Sequence, residues 1–165
     1  MGIATIGGFF VALSSYLTTA GATAFGNHIA HLAVFQSYLS TEVAKRHRIS
    51  AASLDAFYWY SLIFPDAGLG RLSVSSKYEL IVASLRDVIE LSNRQAATAR
   101  EGSFRYVPHQ DRVVVALRSF GIKVERQPRV AFFEIEDEVF SLIRAVNFAF
   151  CGTSSKCNLP NRIYY

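Results

Sequence analysis

Glu79-Leu80-Ile81-Val82-Ala83-Ser84-Leu85-Arg86-Asp87-Val88-Ile89-Glu90-Leu91 and, further on, Asp111-Arg112-Val113-Val114-Val115-Ala116-Leu117-Arg118-Ser119-Phe120 decide the fold. Apolar residues recur in both at helical spacing. Ile81, Leu85, Val88 and Ile89 share one face of the first run, and Val113, Leu117 and Phe120 share one face of the second. Two amphipathic helices are therefore expected, joined by the segment from Ser92 to Gln110. From Ser92 to Arg118 there are five arginines (Arg94, Arg100, Arg105, Arg112 and Arg118), against Glu101 and Asp111 and no lysine. A guanidinium offers a fixed fork of donors that suits phosphate oxygens better than an ammonium point charge does. The segment reads as a nucleic-acid backbone contact on a loop clamped by two helices, with a plain solvated loop as the alternative.

A chain of 165 residues is one domain, long enough to bury a core. The net charge of +4 and pI near 9.2 favour anionic partners only mildly. Hydrophobic residues make up 51% and charged residues 18%, an apolar excess that a membrane or large protein contacts should cover. Cys151 and Cys157 are the only cysteines. With no basic region after Met1 no signal peptide is expected, and free thiols in a reducing compartment follow.

No Asp, Glu, Lys or Arg occurs before Glu42. One parse is a transmembrane helix over about residues 3–26, followed by the basic Lys45-Arg46-His47-Arg48 flank in the positive-inside sense. Small residues at helical spacing (Gly8, Ala12, Ser15, Thr19, Ala22 and Gly26) would let helices approach closely. The other parse is an αα-hairpin. Gly26-Asn27 would stop a first helix, and a second would run from about Ile29 to Lys45 with Ile29, Leu32, Phe35 and Leu39 on one face.

Ala56 to Phe64 is aromatic and β-branched enough for a strand, stopped by Pro65-Asp66 and paired with Leu72-Ser73-Val74-Ser75 as a ribbon. Ser75 or Ser76 should cap the helix at Glu79. Ile122 to Phe133 reads as a loop, and Glu134, Glu136, Asp137 and Glu138 as the acidic opening of a last helix from Val139 to Phe148. The expected organisation is one domain over 1–150 and a polar, irregular tail over 151–165.

Catalytic constellations are missing from the sequence. His28 and His31 stand at i, i+3 without a third ligand at usable spacing, and no phosphate-binding glycine loop, nucleophile elbow or Cys-x-x-Cys occurs. Neither an enzyme nor a metal site nor a cofactor is expected. Arg118, mid-helix among apolar residues, should meet Glu90, Asp87 or a phosphate.

Six short matches, in order along the chain, carry a resemblance. They are Phe10-Val11-Ala12-Leu13-Ser14-Ser15, Phe25-Gly26-Asn27, Phe64-Pro65-Asp66, Leu80 to Arg94, Asp111 with Val115-Ala116-Leu117-Arg118-Ser119, and Leu142-Ile143-Arg144. Together they resemble the coat proteins of rod-shaped plant viruses of the tobacco mosaic virus type. The resemblance implies an all-α, up-down-up-down four-helix bundle with a small β-ribbon at one end. It also implies a helical rod of identical subunits around single-stranded RNA, in a virion assembled in host cytoplasm, with no membrane involved. RNA contacts would fall on Asn93, Arg94, Arg100, Arg105, Asp111, Arg112, Arg118 and Ser119. Glu79, with Asp55 as its partner, and Glu101 would be inter-subunit carboxylates, with weak calcium at such contacts, and Glu90 and Arg118 a structural ion pair. Ser92 stands where that family has an arginine, and the segment from Gly121 to about Asp137 is an insertion relative to it. The competing reading is a small membrane-anchored accessory subunit of an organellar complex, held by a transmembrane helix over about 3–26.

Overall fold

The structure, a computed structural model, describes residues 3–98, 104–152 and 155–164, without the side chains of residues 3–13. The described residues form five α-helices: α1 (Ile3–Ala44), α2 (Ala56–Ile63), α3 (Ser76–Thr98), α4 (Tyr106–Arg118) and α5 (Arg129–Phe150). Short 3-10 turns lie at Ala51–Ser53, Ala67–Leu69 and Ser155–Cys157. No strand occurs among the described residues, only an isolated antiparallel bridge between Leu54 and Ile122. The protein is all-α, as expected.

The expected ribbon does not form. Asp55 caps α2 by accepting from the Tyr58 amide at 2.9 Å, and Trp59, Tyr60, Leu62 and Ile63 are buried. Their spacing of one, three and four residues fits a helix pressed into a core, so packing overrides the β preference of these side chains. Leu72 to Ser75 is an irregular connection that ends at a cap: the Ser75 hydroxyl donates to Leu62 O at 2.5 Å and accepts from the Tyr78 amide at 3.0 Å.

Two helix boundaries also differ from expectation. Gly26-Asn27 does not stop α1, which continues unbroken to Ala44. A glycine costs a helix only about 1 kcal/mol, and the next turn is anchored on α2 through His28 and His31. On the expected second-helix face, Phe35 and Leu39 are buried, Leu32 is half-buried and Ile29 is exposed. Helix α5 begins at Arg129, directly after Pro128, so the acidic cluster lies inside it rather than at its start. Those acids have partners. Glu134 pairs with Arg48 at 2.5 Å, and Glu138 accepts from the amides of His47 and Arg48.

The core is aromatic, built on Phe35, Trp59, Tyr60, Tyr78, Phe120, Phe132 and Phe140. One buried polar chain ties its elements together. Trp59 Nε1 donates to the Tyr78 hydroxyl at 3.2 Å, Tyr78 donates to Asn147 Oδ1 at 2.5 Å, and Asn147 Nδ2 donates to Cys157 O at 2.6 Å. Residues 155–164 lie back on the bundle. Arg144 donates to Pro160 O at 2.8 Å, and Leu159 and Tyr164 are buried. Cys151 and Cys157 are free and buried, and burial pushes both thiols up, Cys151 well above the usual range.

Candidate functional site

Helix α1 has 42 residues, so it is about 63 Å long. Its carboxyl-terminal part belongs to the body: Phe35, Leu39 and Val43 are buried, and the Tyr38 hydroxyl donates to Ala145 O at 3.1 Å. The middle rests on α2, where the Tyr60 hydroxyl lies 3.1 Å from His31 Nδ1 and 3.3 Å from His28 Nδ1. The two histidines thus share a hydroxyl rather than framing a third ligand. At Ala24 the helix meets Gly70, whose added Cβ would stand 3.5 Å from Ala24 Cβ.

Beyond Ala24 the helix leaves the body. Residues 14–23 are all exposed, Tyr16 at 70% and Leu17 at 61%. Two hydroxyl groups on this stretch turn back onto the helix: Thr18 donates to Ser14 O and Thr23 to Thr19 O, both at 2.9 Å. These polar groups need no water, which is what a hydrocarbon environment demands. The backbone from residue 3 to 22 spans about 30 Å, the thickness of a bilayer's hydrocarbon core. Among the described residues no helix is long and apolar enough to cross a membrane. Residues 3–13, whose side chains lie outside that set, add Ile3, Ile6, Phe9, Phe10, Val11 and Leu13 with Thr5 as the only hydroxyl.

A second feature is a buried polar cluster that joins α3, α4, α5 and the tail. His109 Nδ1 lies 2.8 Å from Ser92 Oγ, and His109 Nε2 lies 3.2 Å from Glu136 Oε2. The Tyr164 hydroxyl donates to Glu136 Oε1 at 2.5 Å, and Arg162 Nη1 is 3.3 Å from Glu136 Oε2. Ser, His and Glu invite comparison with a nucleophilic triad. The geometry answers against it: Ser92 is fully buried, and its hydroxyl donates to Val88 O at 2.9 Å. No reacting group can reach that oxygen. The cluster neutralises a buried carboxylate and holds the bundle together. Nothing in the sequence pattern marked it, because Ser92, His109 and Glu136 sit on three separate helices.

The arginines of the 92–118 segment are not gathered into one strip. Arg94 is exposed on α3, with Nη1 3.9 Å from Glu90 Oε2, so Glu90 takes Arg94 in place of the expected Arg118. Arg118 is exposed at the end of α4 and lines a pocket of about 470 Å³ with Asp55, Lys123 and Glu125. Asp111 pairs with Arg126 at 2.5 Å, and Arg112 donates to Gln95 Oε1 at 3.1 Å. Asp111, Arg112 and Ser119 border a separate depression between α3 and α4. Asn93 holds the tail, donating to Asn161 O and accepting from the Ile163 amide, both at 2.9 Å. Arg105 is exposed just ahead of α4, and Arg100 and Glu101 lie outside the described residues. Glu79 pairs with Lys156 at 3.0 Å, while Asp55, its expected partner, caps α2.

The family described as Retron Ec48 antiviral membrane protein matches residues 1–154. The chain belongs to that family. A relative from Escherichia coli, the Retron Ec48 transmembrane protein, is 31% identical over 155 residues, which cover 94% of this chain and 66% of the relative. The chain thus spans just under two thirds of that relative's length. No solved structure matches.

Membership in an antiviral membrane protein family overturns the coat-protein reading. Capsid, virion, rod-shaped virus, helical homopolymer, single-stranded RNA as partner, host-cytoplasm assembly and the exclusion of a membrane all fall with it. The structure also breaks two of the six matches: Phe25-Gly26-Asn27 lies inside a continuous helix, and Phe64-Pro65-Asp66 follows a helix rather than a strand. The competing membrane-anchored reading fits the family better, in a bacterial setting rather than an organellar one.

Proposed function

We propose that this chain is a membrane-anchored component of bacterial antiviral defence, held in the bilayer by the amino-terminal part of α1. The observation that carries the reading is the charge-free helix that projects from the body over residues 3–22 with its described side chains exposed. Left in water, such a stretch would be a large unpartnered apolar surface. In lipid each Leu, Ile, Phe or Val contributes about 0.3 to 0.6 kcal/mol to insertion. The family description supports the same setting. Lys45, Arg46 and Arg48 follow on the body side and favour keeping that side in the cytoplasm. We read the body as a bundle of α1, α3, α4 and α5 braced by α2. We also read it as non-catalytic and without a cofactor, since its one Ser-His-Glu grouping is sealed. It would act through contacts rather than turnover.

Fractionation tests the reading. The full chain, expressed in bacteria, should sediment with membranes, resist alkaline carbonate and leave only with detergent. Release by carbonate alone would overturn it.

A further inference from the structure

We propose that the loop Asp66–Leu72 is a second lipid contact, with Leu69 and Leu72 entering the membrane interface and Arg71 meeting the phosphate oxygens of lipid headgroups. The proposal rests on α1 being the anchor, because that anchor sets the level of the membrane. If the hydrocarbon spans residues 3–22, Ala24 lies about 3 Å beyond its edge. The headgroup zone on each side is roughly 5 to 7 Å deep. Gly70 packs on Ala24, so the loop falls within that zone.

The loop is built for the place. Ala67 is buried and pins it to the body, whereas Leu69 is 70% exposed and Leu72 47% exposed. Leu69 is mostly and Leu72 about half uncovered by the described residues, and on α1 at the same level Phe25 is 62% exposed. Three backbone donors at the tip are already used. Leu69 N and Arg71 N donate to Asp66 O, and Gly70 N to Ala67 O, at 2.9, 3.2 and 2.9 Å in that order. Gly70, at φ +77°, closes the turn in a conformation that a side chain would strain. Immersion therefore leaves the amides of Gly68 and Leu72 to be met by the water and phosphate oxygens of the headgroup layer, and spares the tip most of the usual penalty for irregular backbone near lipid. The Arg71 guanidinium makes no ion pair among the described residues and lies between the two leucines in sequence. An arginine at headgroup level between two apolar residues matches the layered chemistry of the interface.

The test uses the full chain in vesicles of phosphatidylethanolamine and phosphatidylglycerol. An environment-sensitive fluorophore is placed on Leu69→Cys, on Val130→Cys at the opposite end of α5, or on Leu17→Cys. Both native thiols are buried, which leaves the introduced cysteine as the reactive one. The Leu69 label should be quenched by lipids carrying a shallow acyl-chain nitroxide and shielded several-fold from aqueous iodide relative to the Val130 label. Arg71→Glu should return much of that iodide access. If the Leu17 label is buried in lipid but the Leu69 label is as open to iodide as the Val130 label, the second contact is wrong and the anchor stands. If the Leu17 label is itself open to iodide, the anchor fails and the second contact fails with it.

Discussion

His109 Nε2 lies 3.2 Å from Glu136 Oε2, with both side chains fully excluded from water. Glu136 is also met by Arg162 and by the Tyr164 hydroxyl, so its two oxygens have three polar partners around them. A buried carboxylate so surrounded adds little net stability by itself, yet removing it strands its partners. Glu136→Ala should destabilise the detergent-solubilised protein by about 3 to 5 kcal/mol. Thermal melting checks this, and the variant should still fractionate with membranes, because the cluster lies in the body and not in α1. An unchanged midpoint would show that the cluster does not hold the bundle.

Gly121 turns the chain out of α4 at φ +79°. A Cβ there would stand 2.8 Å from Tyr58 Cδ1 and 3.2 Å from Asp55 Cβ. Gly121→Ala therefore combines left-handed strain with a clash against the cap of α2, and should cost about 1 to 3 kcal/mol. Adding Tyr58→Ala in a double-mutant cycle should relieve the share of the loss that comes from the Tyr58 contact and leave the left-handed strain in place.

Glu42, the first charged residue of the chain, is bound to Lys45 at 2.5 Å and Arg46 at 3.0 Å. The hydrogen bond from Lys45, then that from Arg46, holds its carboxyl below the usual glutamate range. A depressed folded-state value means the stabilisation is fully present above the unfolded value and is lost as pH falls through the folded one. Glu42→Gln should thus be less stable than the parent near neutrality by about 1 to 3 kcal/mol. The gap between the two melting curves should close as pH drops below about 4. A gap independent of pH would remove the charge from the explanation.

Much of the body was legible in the sequence. The 3.6-residue period of Ile81, Leu85, Val88 and Ile89 placed α3, and that of Val113, Leu117 and Phe120 placed α4, because amphipathic periodicity survives in any half-buried helix. Ser75 as a cap was legible for the same local reason. Ala56 to Ile63 was not: intrinsic preference pointed to a strand, and only the three-dimensional core, where Trp59 meets Tyr78, decides for a helix. Nor was the continuity of α1, since Gly26-Asn27 is a stop signal only where the following turn has nothing to pack on, and His28 and His31 have Tyr60. The arginines misled through proximity in sequence. Arg94, Arg112 and Arg118 find separate partners or separate surfaces once the helices are placed.

Leu17→Arg tests the central claim most directly. Leu17 is 61% exposed and touches nothing that a longer polar side chain would disturb on a protein in water, where such a change stays within about 0.5 kcal/mol. In a spanning helix the same arginine opposes insertion by roughly 2 to 3 kcal/mol. The measurement is the fraction of full-length protein that remains in the membrane pellet after alkaline carbonate, compared between Leu17→Arg and the parent. A large shift to the supernatant or to degradation, with Val130→Arg unaffected, is the expected result. Equal retention of parent and Leu17→Arg would contradict the anchoring of this chain by α1.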